Sequence, residues 1–332
     1  MPSPSPSSSP NLSDVPGVRL GHAEDLDALT GCTVLLFEKG AVAGLDLRGT
    51  ATGTRQMDAL RPLHVVGRID AVLFAGGSAF GLDAAAGVMS YLEEMGVGFP
   101  TRETRVPIVP AAILYDLALG SSAVRPTPEM ARQACEAANG PQGNSALEGS
   151  VGAGAGASVG KLFGPKRAMK AGVGTWSVRS PQGATVGALA VVNAFGDVVC
   201  VKTGRILAGA RTAEDSVELA DTAEMMRRGV SRSGLDVENT TLCCVATDAR
   251  LDRAGAEKLA QMAAGGLVRT LRPAFSTFDG DLVIAASTGQ LEEDLNVLGI
   301  LAEEALAFSI NRAVTETEAL GGLPAARDLD RM

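Results

Sequence analysis

Short apolar segments bounded by glycine recur along this 332-residue chain, and they limit its possible folds more than any other feature. Residues 69–75 form a buried β-type run that is too short for a helix. A Gly-Gly-Ser turn follows at 76–78, and helix-forming residues then run from 79 to 95 and stop at Gly96. A strand followed closely by a helix is typical of layered α/β packing.

Further elements follow from the same kind of pattern. Apolar runs predict two strands joined by a turn at Lys39-Gly40, and two more joined by a tight turn at Gly196-Asp197. The remaining predicted elements are strands at 240–248 and 281–288 and helices at 127–139, 212–228, 252–271 and 291–314. This mixture of strands and helices predicts an α/β protein.

The composition fits one large domain behind a tail. Hydrophobic residues make up 46% of the chain and aromatic residues only 4%, so the core is aliphatic, and 40 glycines permit close backbone packing. Residues 1–14 are rich in serine and proline and lack the basic and apolar regions of a leader peptide, which predicts a disordered tail. Residues 15–332 are expected to form a single domain.

The charge of the chain restricts its partners. The formal net charge is −9, and no cluster of lysine and arginine offers a surface for nucleic acid or for an anionic membrane. No segment approaches the roughly 20 apolar residues that a membrane helix needs. We therefore expect a cytoplasmic protein that binds neither nucleic acid nor membrane.

Cysteine and histidine point to no metal site. The five cysteines are odd in number and show no C-x-x-C spacing, so buried, reduced thiols are expected. His22 and His64 are the only histidines, which argues against a histidine-rich zinc site and against a Ser-His-Asp triad. Both are expected to be structural.

The most glycine-dense segment resembles a phosphate-binding loop without matching one. Gly154, Gly156 and Gly160 give G-x-G-x-x-x-G, one residue longer than the dinucleotide fingerprint. Ala155 and Leu162 stand where a P-loop needs glycine and serine or threonine. We expect these glycines to permit close backbone approach or to line a cavity, and we predict no cofactor.

The junction of Asn239 and Thr240 is the most specific candidate for a reactive site in the sequence. A threonine hydroxyl is a weak nucleophile that needs a base, and its own α-amine serves once the preceding peptide bond is broken. That amine has a pKa of about 7.7–8.0, close enough to neutrality to accept the hydroxyl proton. Attack by the Thr240 hydroxyl on the Asn239 carbonyl would break that bond and expose the α-amine. A Thr-Thr pair that opens a strand is also ordinary β composition.

Several motifs, in order, support the chemical interpretation. They are PGVRLGHAEDLDALTGCTV, DLRGTATGTR, FAGGSAFGLDAAAGV, GSVGAGAGASVGK, GALAVVNAFGDVV, ENTTL and FDGDLVIA. Through them the chain from Val15 to about Val314 resembles the DmpA-like family of L-aminopeptidase/D-esterases, which includes β-aminopeptidases and pantetheine hydrolases.

The resemblance implies a fold, a maturation step and an assembly. The expected fold is a four-layer α/β/β/α sandwich of the DmpA/ornithine acetyltransferase type. Self-cleavage would give an α chain of residues 1–239 and a β chain of residues 240–332, and the cleaved units would form homotetramers. The implied substrates are small peptides, amides or esters.

The resemblance also implies roles for four residues. Thr240 corresponds to the nucleophile, and Asn193 to the asparagine whose amide holds the developing oxyanion. Asp279 and Asp281 align with a polar pair that is Ser and Glu in some relatives, and they would hold the Thr240 ammonium. Without the resemblance, Asn193 reads as a hairpin residue and Asp-Gly-Asp as a plain turn.

The sequence departs from the aminopeptidase members near the predicted substrate pocket. Some relatives carry a glutamate there that receives the free amine of the substrate, whereas this chain has Pro110-Ala111-Ala112. Amides or esters without a free ammonium group are therefore also candidate substrates. Tyr115 is a candidate pocket residue, although a core tyrosine is equally consistent with the sequence.

The turn Gly76-Gly77-Ser78 is the other pocket candidate, because a strand-to-helix turn can supply backbone donors or line a cavity. Two rival functions remain. An acyltransferase of the ornithine acetyltransferase type would share the fold and the self-cleavage, and would transfer the acyl group to an amine. An uncleaved scaffold or binding protein would keep the fold without the chemistry.

Overall fold

The computed structural model describes residues 9–140, 148–231 and 239–329. The strands are β1 Val18–Asp25, β2 Thr30–Leu47, β3 Gly53–Arg55, β4 Ile69–Ala75, β5 Phe99–Pro100, β6 Arg105–Val106, β7 Ala111–Ile113, β8 Ser158–Val159, β9 Met169–Lys170, β10 Val173–Arg179, β11 Thr185–Asn193, β12 Asp197–Val199, β13 Ile206–Ala208, β14 Thr240–Ala249, β15 Leu271–Arg272 and β16 Leu282–Leu291. The α-helices are α1 Ala85–Glu94, α2 Pro128–Asn139, α3 Thr222–Arg227, α4 Arg253–Ala263, α5 Gly265–Thr270 and α6 Leu295–Thr315.

A single long strand, β2, joins two sheets. Its first half pairs with β1 and β4, and β7 and β3 continue that first sheet. Its second half pairs with β16, and β14, β11 and β10 continue the second sheet. The two strands predicted around Lys39-Gly40 are therefore wrong. A register shift beside β4 and a positive φ of 69° at Gly40 let one strand bend without ending.

Alternating side chains on the strands build four layers. On β14, Leu242 and Cys244 face the first sheet, whereas Cys243 and Val245 face α4, α5 and α6. On the first sheet, the side chains turned away from β14 pack against α1 and α2. The order of layers is helices, sheet, sheet, helices, which confirms the predicted α/β/β/α sandwich.

Two predicted elements near the middle of the chain are wrong. The turn at Gly196 does not form a hairpin, since β12 pairs with β13 and β15 and not with β11. The helix predicted at 212–228 is reduced to α3, because the Asp197 carboxylate accepts from Ala210 N and from both Thr222 N and its hydroxyl. The residues before Thr222 instead turn back on themselves, with an antiparallel bridge between Arg211 and Leu219.

Helix boundaries agree elsewhere with the capping residues. Thr127 and Asp252 cap α2 and α4 with their side chains, as their positions predict. The helix predicted at 252–271 is divided at Ala264 into α4 and α5. The helix predicted at 79–95 opens as a 3₁₀ helix, Ser78–Ala84, before α1.

Residues just before the predicted domain boundary belong to the fold. Leu12–Asp14 form a 3₁₀ helix capped by Asn11, and Leu12 is fully buried. The Leu12 backbone N–H donates to Thr175 Oγ1 at 2.8 Å. Residues 12–14 are therefore part of the fold and not of a disordered tail. The polar segment SRSGLDVEN, residues 231–239, is typical of a link between a helix and a strand. It lies largely outside the described residues.

The glycine-dense segment is packed backbone against backbone. A Cβ at position 154 would lie 2.6 Å from Val173 N, and one at 156 would lie 2.2 Å from Leu29 O. These distances explain the glycines by close approach, as the sequence predicts. Among the described residues no helix is long and apolar enough to span a bilayer.

The histidine near the first sheet and the thiols have structural surroundings. His22 is half-buried, and desolvation of its ring lowers its pKa to about 4. Its Nδ1 lies 2.9 Å from Thr33 Oγ1. Four of the five cysteines are buried, all five are unpaired, and Cys200 is partly exposed.

Candidate active site

The sheet pairing gathers four predicted residues at one end of the second sheet. Thr240 opens β14 and lies opposite Asn193, the last residue of the antiparallel β11. Asp281 immediately precedes β16, which runs parallel to β14, and Asp279 forms an isolated bridge with Asn239. All five residues are buried. The structure thus brings together side chains that lie up to 88 positions apart in sequence.

The carbonyl oxygen of Asn239 accepts from two donors. Thr240 Oγ1 donates to the Asn239 carbonyl oxygen at 2.5 Å, and Gly280 N donates to the same oxygen at 2.9 Å. A Cβ at position 280 would lie 2.8 Å from Thr240 Oγ1 and 2.7 Å from Ala51 O. Only glycine leaves the hydroxyl room beside this carbonyl.

A lysine that the sequence analysis did not select orients Asn193. Lys161 is 4% exposed, and its Nζ donates to Asn193 Oδ1 at 2.7 Å and to Asn193 O at 3.0 Å. Ser158 N also donates to Asn193 Oδ1, at 3.1 Å. Asn193 Nδ2 donates to Tyr115 O at 3.0 Å. These bonds fix which end of the amide is the donor.

The signal for Lys161 was present in the sequence. It is a cation within the apolar, glycine-dense run ASVGKLFG, where an ordinary surface lysine has no reason to be. Its partner Asn193 lies 32 positions away, so the pairing depends on how the strands meet.

Backbone amides around the nucleophile donate hydrogen bonds to the two aspartates. Asp281 Oδ1 accepts from Thr241 N at 2.7 Å, and Oδ2 accepts from Phe275 N at 3.3 Å. Asp279 Oδ1 accepts from Phe195 N at 3.1 Å, while Oδ2 accepts from the backbone and hydroxyl of Ser276.

Burial changes the protonation of this aspartate pair. Burial raises the pKa of Asp281 well above its usual range, and the negative charge of Asp279 raises it further. Burial also raises the pKa of Asp279, against the hydrogen bond from Ser276 and the nearby charge of Lys161. The pair therefore holds a proton more tightly than an exposed carboxyl does.

The Gly76-Gly77-Ser78 turn has no free backbone donor. Gly76 N donates to Gly31 O, Gly77 N to Asp116 Oδ1, and Ser78 N to Leu114 O. The expectation that these three amides are available to a substrate is therefore wrong. The turn acts instead as a support, and its role in lining the pocket stays a prediction.

The segment Pro110-Ala111-Ala112 carries no charged side chain. Ala111 and Ala112 are buried in β7, and Pro110 O accepts from Leu73 N. Tyr115 is half-buried and contributes its carbonyl oxygen to Asn193, as described above. Participation of its phenol in catalysis stays a prediction.

Comparison with known sequences and structures identifies the family. The profile of Peptidase family S58 matches residues 10–326, which is nearly the whole chain. The chain belongs to peptidase family S58. An uncharacterised aminopeptidase of Mycobacterium leprae is 38% identical over 341 residues, which cover 95% of this chain and 92% of that protein. The S58 assignment confirms the resemblance inferred from the motifs.

Two further comparisons give the chemistry and the fold of relatives. A 6-aminohexanoate-oligomer endohydrolase of Agromyces sp. is 28% identical, covering 84% of this S58 chain and 75% of that enzyme. The L-aminopeptidase D-Ala-esterase/amidase of Ochrobactrum anthropi, described as a variant of the Ntn hydrolase fold, superposes with a TM-score of 0.73 at 19% identity. It covers 99% of this chain and 94% of that structure. This S58 protein is a hydrolase, and it shares the fold of that structure.

Proposed function

We propose that this protein cleaves its own Asn239-Thr240 bond and then hydrolyses small peptides, amides or esters through Thr240. The observation that carries the proposal is the pair of contacts on the Asn239 carbonyl oxygen, from Thr240 Oγ1 at 2.5 Å and from Gly280 N at 2.9 Å. The hydroxyl adjoins the carbonyl that it would attack, and a fixed backbone donor adjoins the oxygen that would become negative.

The maturation step is an N-to-O acyl shift. Thr240 Oγ adds to the Asn239 carbonyl carbon and gives up its proton, and Gly280 N stabilises the resulting oxyanion. The carbon–nitrogen bond then breaks as the nitrogen takes a proton, which leaves an ester between the two residues. The shift frees the Thr240 α-amine. Water then hydrolyses the ester, so Asn239 ends as a carboxylate and the Thr240 hydroxyl is restored.

The mature site would use the same hydroxyl on a substrate. The Thr240 amine, with a pKa of about 7.7–8.0 in an unperturbed chain, accepts the hydroxyl proton. Asn193, held by Lys161, stands beside Thr240 and is the side-chain amide that would face the substrate oxyanion. Asp279 and Asp281 would orient the new ammonium, since both lie buried next to it.

The hydrolase acts on peptides or amides as a class, and the finer choice of substrate belongs to this proposal. The uncharged segment around Ala111 offers no partner for a substrate ammonium. A substrate without a free amine next to the scissile bond needs no such partner, unlike an ordinary aminopeptidase substrate. An assembly of cleaved units into homotetramers and a cytoplasmic location also stay predictions.

Intact-mass analysis of the purified protein tests the first step. We expect the wild-type chain to give fragments 1–239 and 240–332, and Thr240→Ala to remain whole. Thr240→Ser keeps a hydroxyl and should still be cleaved. A wild-type chain that stays permanently intact would overturn the proposal and favour the uncleaved scaffold.

A second assay separates the hydrolase from the acyltransferase. The cleaved protein is incubated with an acyl donor in the presence and absence of ornithine. Release of free acid at a rate independent of ornithine is the expected result. Acyl-ornithine as the main product would instead assign the chain to the transferase alternative.

A further inference from the structure

An open cleft of about 860 Å³ lies between β3 and the 3₁₀ helix after β4, and it has no role in the chemistry above. One wall is formed by Thr54 and Arg55 at the end of β3. The other is formed by Phe80 on the 3₁₀ helix after β4 and by Arg125 and Pro126. A cavity of this size accommodates a small ligand or one end of a larger one.

The cleft is connected to the nucleophile by a short stretch of chain. Ala51 N donates to Asp279 O at 3.1 Å, and Ala51 O and Thr240 Oγ1 both approach Gly280, at 2.7 and 2.8 Å from its Cβ position. Thr54 follows Ala51 by three residues, so their Cα atoms are at most about 11 Å apart. The segment from Ala51 to Thr54 therefore runs from the nucleophile to the wall of the cleft.

The turn after β4 holds the second wall in place. Gly77 has a φ of +77°, and a Cβ there would lie 2.9 Å from Pro126 Cδ and 3.3 Å from Arg125 Cβ. Asp116 accepts from Gly77 N at 2.7 Å and from Thr30 Oγ1 at 2.7 Å. The position of Arg125 therefore depends on a buried hydrogen-bonded support and not on a loose loop.

Both arginines keep their charge available. The Arg125 guanidinium stacks on the Phe80 ring at 3.8 Å, and its Nε donates to Ser122 O. Arg55 Nη2 contacts only a thioether, Met89 Sδ, at 3.3 Å. Among the described residues neither arginine has a carboxylate within ion-pair distance, although the chain as a whole carries a net charge of −9.

The lining combines this charge with apolar surface. Phe80 is 57% exposed, and Leu82 and Val124 extend the apolar surface beside it. Asp83 also lines the cleft, so the two arginines leave one net positive charge. An anion carried on an apolar chain matches this surface, because guanidinium groups bind carboxylates through paired hydrogen bonds.

We propose that this cleft binds a carboxylate at the far end of the substrate whose amide or ester bond Thr240 attacks. The inference rests on the proposed hydrolase function and specifies its substrate class: molecules with a carboxylate on a short apolar chain, such as a peptide with a free C-terminus. Arg55 and Arg125 are then specificity residues that act on substrate binding and not on the bond-breaking step.

A binding comparison tests this charge preference. The full-length Thr240→Ala chain, which cannot turn the ligand over, is titrated by calorimetry with N-acetyl-Ala-Ala-Ala and with the same peptide as its C-terminal amide. We expect the carboxylate form to bind about tenfold more tightly, with the difference shrinking at high salt. Equal affinities, or no binding of either peptide, would overturn the inference.

Matched variants assign the effect to the cleft. Arg125→Gln and Arg55→Gln, each in the Thr240→Ala background, should reduce the preference for the carboxylate, and Arg125→Lys should retain part of it. Arg132→Gln is the control, because Arg132 also stacks on an aromatic ring, Tyr91 at 5.7 Å, but lies outside the cleft. A preference that survives both cleft variants would contradict the assignment.

Turnover by the cleaved wild-type chain distinguishes failure of this inference from failure of the proposed function. Self-cleavage without any preference for carboxylate substrates would remove the inference and leave the proposed function. Absence of self-cleavage would remove the proposed function itself. For the cleft variants we expect KM for an anionic substrate to rise about tenfold while kcat stays near its wild-type value.

Discussion

At the scale of single residues, the site depends on what stands next to Thr240 in space. The sequence alone allows Asn239-Thr240 to be the start of an ordinary strand. The structure adds Gly280, whose amide donates to the carbonyl before Thr240 and whose lack of a side chain leaves room for the hydroxyl. It also adds Lys161, whose Nζ fixes the orientation of Asn193. Both residues lie within motifs shared with the family, FDGDLVIA and GSVGAGAGASVGK, but the sequence by itself assigns a role to neither.

Gly280→Ala is expected to slow self-cleavage by about 100-fold, because a displacement of roughly 1 Å at a reacting group has an effect of that order. The added Cβ would meet Thr240 Oγ1 at 2.8 Å and the Ala51 carbonyl oxygen at 2.7 Å. Intact-mass spectra collected over time after purification measure the rate.

Gly140→Ala is the matched control for this change. Its new Cβ would have Glu136 O and Ala137 O as its nearest atoms, at 3.4 and 3.5 Å, which is ordinary contact. We expect cleavage at the wild-type rate. If Gly280→Ala also matures at that rate, the close approach at Gly280 has no part in the reaction.

At the scale of elements, the glycine-dense segment is held by a second buried lysine. Lys170 is fully buried in β9, and its Nζ donates to Gly154 O and Ala157 O at 3.0 Å each and to Ala171 O. Three carbonyl acceptors match the three N–H bonds of an ammonium. Burial nevertheless lowers the pKa of Lys170, which the charge of Asp116 partly opposes.

Lys170→Met should lower the free energy of unfolding by several kcal/mol, since each buried carbonyl left without a donor costs about 1–3 kcal/mol. The pKa of Lys170 falls from 10.5 to about 7 on folding. Between these values the unfolded chain binds a proton that the folded chain has released, so stability from this group rises with pH across that window.

The expected observation is a pH-dependent difference between wild type and variant. Denaturant unfolding from about pH 7 to about pH 10 should show the wild-type advantage growing by up to about 1.4 kcal/mol per pH unit. Lys258→Met, at an exposed position of α4, should show no such trend. If the difference in the free energy of unfolding stays constant across this range, the pKa of Lys170 is not lowered in the folded protein.

At the scale of the whole molecule, the proposed cleavage site lies at the start of an interior strand. β14 pairs with β11 on one side and with β16 on the other, and its ten residues are all buried. The two fragments would therefore share a sheet and the core between the layers. Separating them would expose apolar surface from both faces of β14.

We expect fragments 1–239 and 240–332 to remain together after cleavage. Size-exclusion chromatography under native conditions should give a single species that contains both fragments, and denaturing electrophoresis of that peak should separate them. Elution of the shorter fragment by itself under native conditions would contradict this view of the sheet. The same experiment reports the oligomeric state of the unit.

The amino-acid sequence determined the parts of this protein that depend on neighbouring residues. Residues 69–75 form a strand and 128–139 a helix because hydrophobic period and capping residues are local signals. The glycines at 154 and 156 were correctly assigned to close backbone approach. Ordered motifs identified the family, and with it the layered fold and the four candidate site residues around Thr240.

Only the tertiary structure decided how distant segments meet. It made β2 one bent strand, turned the chain away from β11 at Gly196, and bound Thr222 to Asp197, so that α3 begins only at Thr222. It paired Lys161 with Asn193 and engaged every backbone amide of the 76–78 turn. Such contacts join residues tens of positions apart, and local pattern carries no record of them because their energy exists only once both partners are packed together.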